Sequence, residues 1–217
     1  MVSDILANSA RAAHDVGLAA WLGGSMFGKF ALNPSVVTVA DHAERGAVVN
    51  AAWNGYNVIN AVGLGAAAAG WAAARFTETK PGNLSSVESG LSLAKDVLMG
   101  VSVLSGVLSG VQGGRLAKQA PGGLVPVETG TKPAPETPPA AAKIQRSLES
   151  LGSLSIVAGV SLVAVNAVLA QVNYSRPPAG RALTRASSPD ADLSPVWVAA
   201  GVATGAALVD QVRRQLG

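Results

Sequence analysis

The sequence predicts an all-α integral membrane protein, a helical bundle of four transmembrane helices with a borderline fifth helix at the C-terminal end. Residues 46–74 carry no formal charge. As an α-helix they extend about 43 Å, which exceeds the hydrocarbon core of a bilayer. Only 13% of the 217 residues are charged, whereas average soluble domains have about 25%. We therefore expect a single membrane domain over residues 1–217.

The first transmembrane helix is predicted over residues 10–32, with its most apolar part at 16–30. Lys29 lies close to the end of this helix, where its alkyl stem can lie in lipid while its ammonium reaches the headgroups. Asn33 and Pro34 are expected to end the helix, because the residue before proline avoids the α-helical conformation. No cleavable signal peptide is expected, since the chain does not open with a basic region and an apolar run.

Pairs of residues with capping-box-like spacing predict where the second and third helices begin. Asp41 and Glu44 precede the uncharged run and open the second helix. Ser85 and Glu88 follow a Pro-Gly turn and open the third helix. The second helix is expected to end near residue 76 and the third near residue 119.

Two polar segments are predicted to link the later helices. Residues 119–140 hold six prolines and several polar residues, which can neither continue a helix nor build a core, so this linker should be exposed. A fourth helix is expected over 141–174, followed by a polar linker at 176–193. The fifth helix has Ser194 as its N-cap and Pro195 at its first position. Its uncharged run of 17 residues is short for a membrane span.

Small residues four positions apart are predicted to bring the helices together. In lipid, helices associate through close packing and interhelical hydrogen bonds rather than by burying apolar surface from water. Such pairs occur in several of the predicted helices, which favours a closely packed bundle. The predicted packing glycines are Gly24, Gly28, Gly106, Gly110, Gly201 and Gly205.

Asparagines mark the most polar face of the second helix. At about 100° per residue, Asn50, Asn54 and Asn57 lie within about 60° of helix surface, while Asn60 lies off this stripe. The fourth helix adds Asn166. Because an amide that faces lipid is costly, these side chains should meet protein or water. Three interpretations stay open: hydrogen bonds between helices, a polar groove or ligand pocket, and a wet interface between subunits.

The sequence lacks the residues that catalytic and metal-binding sites usually require. There are no cysteines, which excludes disulfides, thiolate metal ligands and a cysteine nucleophile. His14 and His42, the two histidines, are expected on opposite membrane faces about 30 Å apart, so they cannot bind one metal together. Lys95 and Asp96 are expected to form a solvated pair at the interface, and no embedded carboxylate pair suits ion transport. We therefore expect no enzyme activity, no metal site and no cofactor.

Composition also narrows the partners and the compartment. The net charge is +3, and no Lys/Arg-rich stripe with interleaved aromatic residues is present, so no nucleic-acid binding is expected. The expected partners are membrane lipid and other membrane protein subunits or further copies of the chain. An Ala-, Gly- and Val-rich, Lys-poor composition is typical of high-GC bacteria such as actinobacteria, which favours a multi-pass protein of the bacterial inner membrane. Basic residues divide almost evenly between the two sides, so the orientation stays open.

The first predicted helix carries a short motif. His14, Trp21, Gly23, Gly24 and Phe27 form an H-x6-W-x-G-G-x-x-F pattern. This opening resembles a family of small four-helix membrane proteins of unknown function and, more distantly, the opening helix of copper-resistance-type membrane domains. The resemblance implies a four-helix membrane bundle and no established chemistry. The chain lacks the additional His and Met residues expected for copper handling.

Three functional hypotheses follow. The leading one is a non-catalytic accessory or scaffold subunit of a larger membrane complex, or a self-associating bundle, because packing surfaces are plentiful and catalytic groups are missing. The alternative is a small-molecule or lipid binder or carrier that uses the asparagine face of the second helix. The third is a cofactor protein that uses His14.

Overall fold

The computed structural model describes residues 2–76, 79, 84–120, 122 and 124–175. These residues form four long helices and no β-strand, which confirms the all-α prediction. The polar linker at 176–193 and the borderline fifth helix, with Gly201 and Gly205, lie outside the described residues. The helices are α1 (Val2–Phe27), α2 (His42–Phe76), α3 (Ser86–Ala117) and α4 (Pro139–Ser175).

The four helices pack side by side, and neighbours run antiparallel. Helix α1 packs mainly on α2, α3 packs mainly on α4, and α1–α4 and α2–α3 contacts join the two pairs. The backbones of α1 and α2 come into direct contact. A Cβ at Gly17 would lie 2.3 Å from the carbonyl oxygen of Gly63, and one at Gly70 would lie 2.4 Å from that of Ala10. Glycine therefore sets the close approach of the first two helices.

An apolar core lies between the four helices. Trp21 of α1 is 1% exposed, and Leu162 of α4 is completely buried. The core draws on every helix and separates two more polar interior regions, one toward each end. Its buried members are Leu18, Trp21, Leu22, Leu64, Ala67, Trp71, Leu91, Met99, Leu162, Val165 and Leu169.

Within the described residues, three helices are long and apolar enough to cross a membrane, namely His42–Phe76, Ser86–Ala117 and Pro139–Val172. Their outward faces expose large apolar side chains: Val58 of α2 and Leu104 of α3, for example, are 69% and 65% exposed. Exposed apolar surface of this kind is compatible with a lipid environment. Helix α1, which the sequence predicts as the first membrane span, is not one of these three. It carries Arg11, His14 and Asp15 on adjacent turns.

The chain does not leave the helical conformation at Asn33 and Pro34, so the predicted end of the first helix is wrong. After α1 it continues through a π-helical turn, Gly28–Leu32, and short turns at Asn33–Ser35 and Val36–Thr38. Tertiary contacts hold Asn33 in place. Its backbone carbonyl accepts a hydrogen bond from the Gly130 N–H at 3.0 Å, and its Oδ1 accepts one from Trp53 Nε1 at 3.3 Å. These bonds outweigh the local preference of a residue before proline.

Both predicted helix starts are capped by the expected side chains. Asp41 Oδ1 accepts hydrogen bonds from the N–H groups of Ala43 and Glu44 at 2.8 and 2.9 Å. Ser85 and Glu88 form a reciprocal capping box, in which each side chain accepts from the other residue's N–H. These contacts confirm the cap positions, because a polar side chain satisfies N–H groups that the first helical turn leaves unpaired.

The proline-rich linker at 119–140 is not exposed throughout, contrary to expectation. Val125 and Val127 are each 3% exposed, and Ala134 is 6% exposed. The Val127 N–H donates to the carbonyl oxygen of His42 at 3.0 Å. A Cβ at Gly46 would lie 1.9 Å from the carbonyl oxygen of Val125, so this part of the linker rests on the backbone of α2. We call residues 124–131 the cap segment, because they cover one end of the helices.

Candidate binding cavity

A cavity lies under the cap segment, between all four helices. It holds about 1180 Å³ of space, including the part that opens to the outside. The side chains that bear on its chemistry are Trp21, Ser25, Lys29, Asn33, Asn50, Trp53, Asn54, Asn57, Asn60, Ser109, Thr131, Glu149 and Ser155.

Four of the asparagines singled out in the sequence line this one cavity. Asn50, Asn54 and Asn57 do so as a stripe, and Asn60, which the helical geometry places off that stripe, also reaches the wall. Asn54 Nδ2 donates to Asn50 Oδ1 at 3.3 Å. Asn60 Oδ1 is buried and has no hydrogen-bond partner among the described residues. The wall therefore presents amide donors and acceptors that are not all used within the protein.

The floor and the roof of the cavity are made differently. The indole of Trp21 belongs to the apolar core and forms part of the floor, beside Ser155, whose Oγ donates to Ser105 Oγ at 2.8 Å. The roof is the cap segment, with the buried side chains of Val125 and Val127. The cavity is thus polar along its asparagine wall, mixed at the floor and apolar at the roof.

An ion pair stands in the wall opposite the asparagines. Lys29 Nζ lies 2.5 Å from Glu149 Oε1 and donates to Ser153 Oγ at 3.0 Å. Thr131 of the cap segment donates its hydroxyl to the other carboxylate oxygen of Glu149. Lys29 and Glu149 are the two formally charged residues among the described residues that line the cavity, and their charges cancel.

The predicted packing glycines divide into two groups. Gly24 and Gly28 lie in close helix contacts, since a Cβ there would lie 1.9 Å from the Tyr56 ring and 2.3 Å from the Trp53 ring. Gly106 packs against Leu64 of α2 in the same way, at 2.6 Å. A Cβ at Gly110 would have no neighbouring atom within 4 Å. Gly110 therefore lines the open cavity and is not a packing residue, contrary to prediction.

Asn166 does not join the other asparagines but belongs to a second polar cluster, at the opposite end of the helices. It accepts a hydrogen bond from Lys95 Nζ and donates to Asp15 Oδ1 at 3.0 Å. Lys95 Nζ also lies 4.1 Å from the centre of the Trp71 ring. Side chains of α2 and α4 thus contact the ammonium of Lys95, and a cation–π contact is part of its environment.

Lys95 and Asp96 do not form the solvated pair that the sequence predicts. Lys95 is 3% exposed. Asp96 accepts from Trp71 Nε1 at 2.8 Å and pairs with Arg75 at 3.0 Å. Adjacent residues on a helix point about 100° apart, so the two side chains meet different helices. The sequence held one usable signal for this cluster, the spacing of Trp71 and Arg75 by one helical turn.

The two histidines lie far apart, measured along the axis of α2. His14 is 3% exposed, and its Nδ1 donates to the carbonyl oxygen of Ala67 at 2.6 Å. His42 lies at the other end of α2, about 38 Å away at 1.5 Å per residue, with Nδ1 2.6 Å from Glu136. The described residues contain no group of three or more potential metal ligands.

Glu136, in the linker after the cap segment, is an acidic residue whose pKa is shifted by its hydrogen bonds. Hydrogen bonds from its own backbone N–H and from His42 lower the pKa of this exposed carboxyl below its ordinary value. His42 Nε2 also lies 3.9 Å from Glu128 of the cap segment. The histidine therefore ties the start of α2 to the linker on two sides.

No protein-family model, curated protein or solved structure matches this chain. The interpretation of the cavity accordingly depends on its own geometry and chemistry.

Proposed function

We propose that this chain is a non-catalytic, multi-pass protein of the bacterial inner membrane whose cavity binds a small molecule. In this proposal α1 is a fourth membrane span beside the three apolar helices, in line with the resemblance of its motif to four-helix membrane proteins. The observation that carries the proposal is the convergence of four amide side chains, those of Asn50, Asn54, Asn57 and Asn60, on one cavity.

The hydrogen bonds of these amides favour binding over a purely structural role. Asparagines that hold a membrane bundle together are expected to bond to other helices. Instead, the bond from Asn54 goes to Asn50 on the same helix, and Asn60 Oδ1 is buried without a partner among the described residues. A desolvated amide without a partner costs about 1–3 kcal/mol. A ligand with complementary donors and acceptors would recover part of that free energy.

The contacts of the polar side chains in the cavity favour binding over catalysis. The carboxylate of Glu149 in the cavity wall is paired with Lys29 and accepts from the Thr131 hydroxyl. The hydroxyls of Ser25 and Ser155 donate to Trp21 O and Ser105 Oγ rather than to a general base. Nucleophilic catalysis needs a base within hydrogen-bond reach of the nucleophile. Binding without turnover is the function that these contacts support.

The test compares two triple variants of the full chain, purified in a mild detergent. The first replaces Asn50, Asn54 and Asn57 with leucine. The control introduces three leucines at Ala51, Ala61 and Ala72, exposed positions of the same helix that do not line the cavity. Small molecules released from each protein are identified by mass spectrometry.

The proposal expects a molecule that co-purifies with the natural chain and the alanine-site control but not with the asparagine-site variant. Far-UV circular dichroism and sizing check that both variants keep the helical fold. Equal recovery from all three proteins, or loss of stability alone in the asparagine-site variant, would contradict the proposal. The asparagines would then be structural.

A second candidate is an accessory or scaffold subunit, or a self-associating bundle. It is favoured by the exposure of Asn54 and Asn57 on a helix long enough to cross a membrane. Amides on such a surface are costly against lipid, and a neighbouring subunit would cover them. Gentle extraction followed by sizing with mass measurement tests this candidate. A monodisperse monomer without a co-purifying protein would exclude it.

A further inference from the structure

We propose that the cavity takes the headgroup of a membrane lipid, an uncharged headgroup with several hydroxyl or amide groups, which reaches it sideways from the bilayer between α2 and α3. This inference deepens the proposed function and rests on it. Four features of the described residues carry it: the depth of the amides, the covered end of the cavity, its open side and the balance of charge in its walls.

The amides lie deep within the length of α2. Asn50 follows the first residue of the helix by eight positions and Asn60 by eighteen. At 1.5 Å per residue they lie about 12–27 Å along the helix axis. Because the hydrocarbon core of a bilayer is about 30 Å thick, a core centred on the 35 residues of α2 covers about 11–41 Å of the axis. Asn60 then lies well inside the core and Asn50 near its edge.

The end of the cavity beside the start of α2 is covered by the cap segment. Val125 and Val127 are buried there, and the Val127 N–H bonds to the carbonyl oxygen of His42. The guanidinium of Arg45 donates to the carbonyl oxygens of Val39 and Glu128 at 2.7 and 2.9 Å, which ties the cap segment to α2 and to the connection that precedes it. A water-soluble ligand would have to displace these contacts.

Among the residues that the structure describes, none covers the side of the cavity between α2 and α3. The two helices touch where Leu64 meets Gly106, but a Cβ at Gly110 or Gly113 would meet no atom within 4 Å. Asn54 and Asn57, on the facing wall, are exposed. The opening is flanked by apolar side chains that are 47–69% exposed, those of Val58, Val62, Val107 and Val111. Such a rim suits acyl chains, while the amides beyond it suit a polar headgroup.

The charges in the wall favour a neutral headgroup. The ammonium of Lys29 is already 2.5 Å from the carboxylate of Glu149, so an anionic phosphate would have to compete with this pair. Four asparagine side chains offer both donors and acceptors, which match hydroxyl and amide groups without a change of protonation. The indole N–H of Trp53 donates to Asn33, which fixes the orientation of the ring beside the asparagines.

The experiment measures lipid binding by native mass spectrometry of the full chain. Three probes are added separately: monogalactosyldiacylglycerol, phosphatidylglycerol with the same acyl chains, and free galactose. The natural chain should bind the galactolipid at least about tenfold more tightly than phosphatidylglycerol, which corresponds to about 1.4 kcal/mol. It should bind free galactose more weakly still.

Two variants on α3 test the route. Gly110→Leu places a side chain in the opening, whereas Gly114→Leu adds the same side chain at an equally unobstructed glycine that does not line the cavity. Gly110→Leu should lose galactolipid binding, and Gly114→Leu should keep it. Both should fold, because neither glycine is in a close helix contact.

The outcomes separate this inference from the proposed function. Phosphatidylglycerol binding as tightly as the galactolipid would overturn the neutral headgroup but leave a binding cavity. Free galactose binding as well as the lipid, or equal binding by the two glycine variants, would overturn the sideways route. If none of the three probes binds but a different molecule co-purifies in an asparagine-dependent way, the lipid class is wrong and the proposed function stands. If no probe binds and no molecule co-purifies, both the lipid inference and the proposed function are wrong.

Discussion

The close contact between α1 and α2 makes a sharp prediction about two glycines of the same helix. Gly17→Ala should destabilise the protein relative to Gly23→Ala. A Cβ at Gly17 would lie 2.3 Å from the carbonyl oxygen of Gly63 and 2.9 Å from the N atom of Ala67, both backbone atoms. A Cβ at Gly23 would meet nothing within 4 Å.

The magnitude follows from the distances. Ordinary van der Waals contact begins near 3.4 Å, so the helices must separate by about 1.1 Å at Gly17 (3.4 minus 2.3 Å). Overpacking of this kind costs about 1–3 kcal/mol. Both substitutions gain up to about 1 kcal/mol of helix propensity, because alanine is the better helix former. Gly23→Ala should therefore leave the free energy of unfolding unchanged or raise it slightly. The free energy of unfolding of Gly17→Ala should be about 1–3 kcal/mol lower than that of Gly23→Ala.

Reversible unfolding in mixed micelles of a mild detergent and dodecyl sulfate, followed by far-UV circular dichroism, measures the difference. Gly63→Ala provides a graded third point, because its Cβ would lie 2.9 Å from the carbonyl oxygen of Gly17 and needs a smaller displacement. The expected order of stability is Gly23→Ala, then Gly63→Ala, then Gly17→Ala. If Gly17→Ala is as stable as Gly23→Ala, the backbone contact does not limit the approach of the helices and the reasoning fails.

Two further predictions concern the polar contacts. Asn166→Leu removes the acceptor of the buried Lys95 ammonium and should lower the free energy of unfolding by about 1–3 kcal/mol. Lys95→Met removes the charge itself and should lower the free energy of unfolding by less. The same unfolding assay compares the two variants, and a larger loss of stability in Lys95→Met would refute this account. The second prediction concerns Glu136, whose carboxyl has a lowered pKa. The contact with His42 therefore stabilises the fold at pH values above the carboxyl's ordinary pKa, and this stabilisation is lost as the pH falls through the lowered pKa. Carboxyl NMR titration should show that His42→Gln raises the pKa of Glu136 toward its ordinary value, and an unchanged titration would contradict the assigned contact.

The sequence predicted helix starts correctly where they depend on interactions between residues close together in the chain. The cap at Asp41 and the capping box of Ser85 and Glu88 occur as predicted, because a side chain three residues from its N–H partner needs no tertiary contact. The end at Asn33 was not predictable in this way. Its helical conformation depends on Gly130 and Trp53, which lie far from it along the chain.

The candidate site was predicted in part. The stripe of Asn50, Asn54 and Asn57 follows from helical geometry alone, and it lines the cavity. The separation of Asn166 from that stripe depends on which end of α4 faces which end of α2, and the antiparallel packing places Asn166 beside Lys95 instead. The burial of Lys95 likewise depends on Trp71, a residue of another helix.

The sequence by itself determined that this protein is helical and that its longest uncharged runs are long enough to cross a bilayer, because helix length and amide spacing depend only on local geometry and composition. It also determined which face of α2 is polar. Only the tertiary structure decided that this face meets an open cavity. That outcome depends on Gly110 and Gly113, where the absence of side chains leaves space beside the point at which Leu64 touches Gly106. Whether a small residue closes a gap or leaves one is decided by the distance to the next helix, which no single helix encodes.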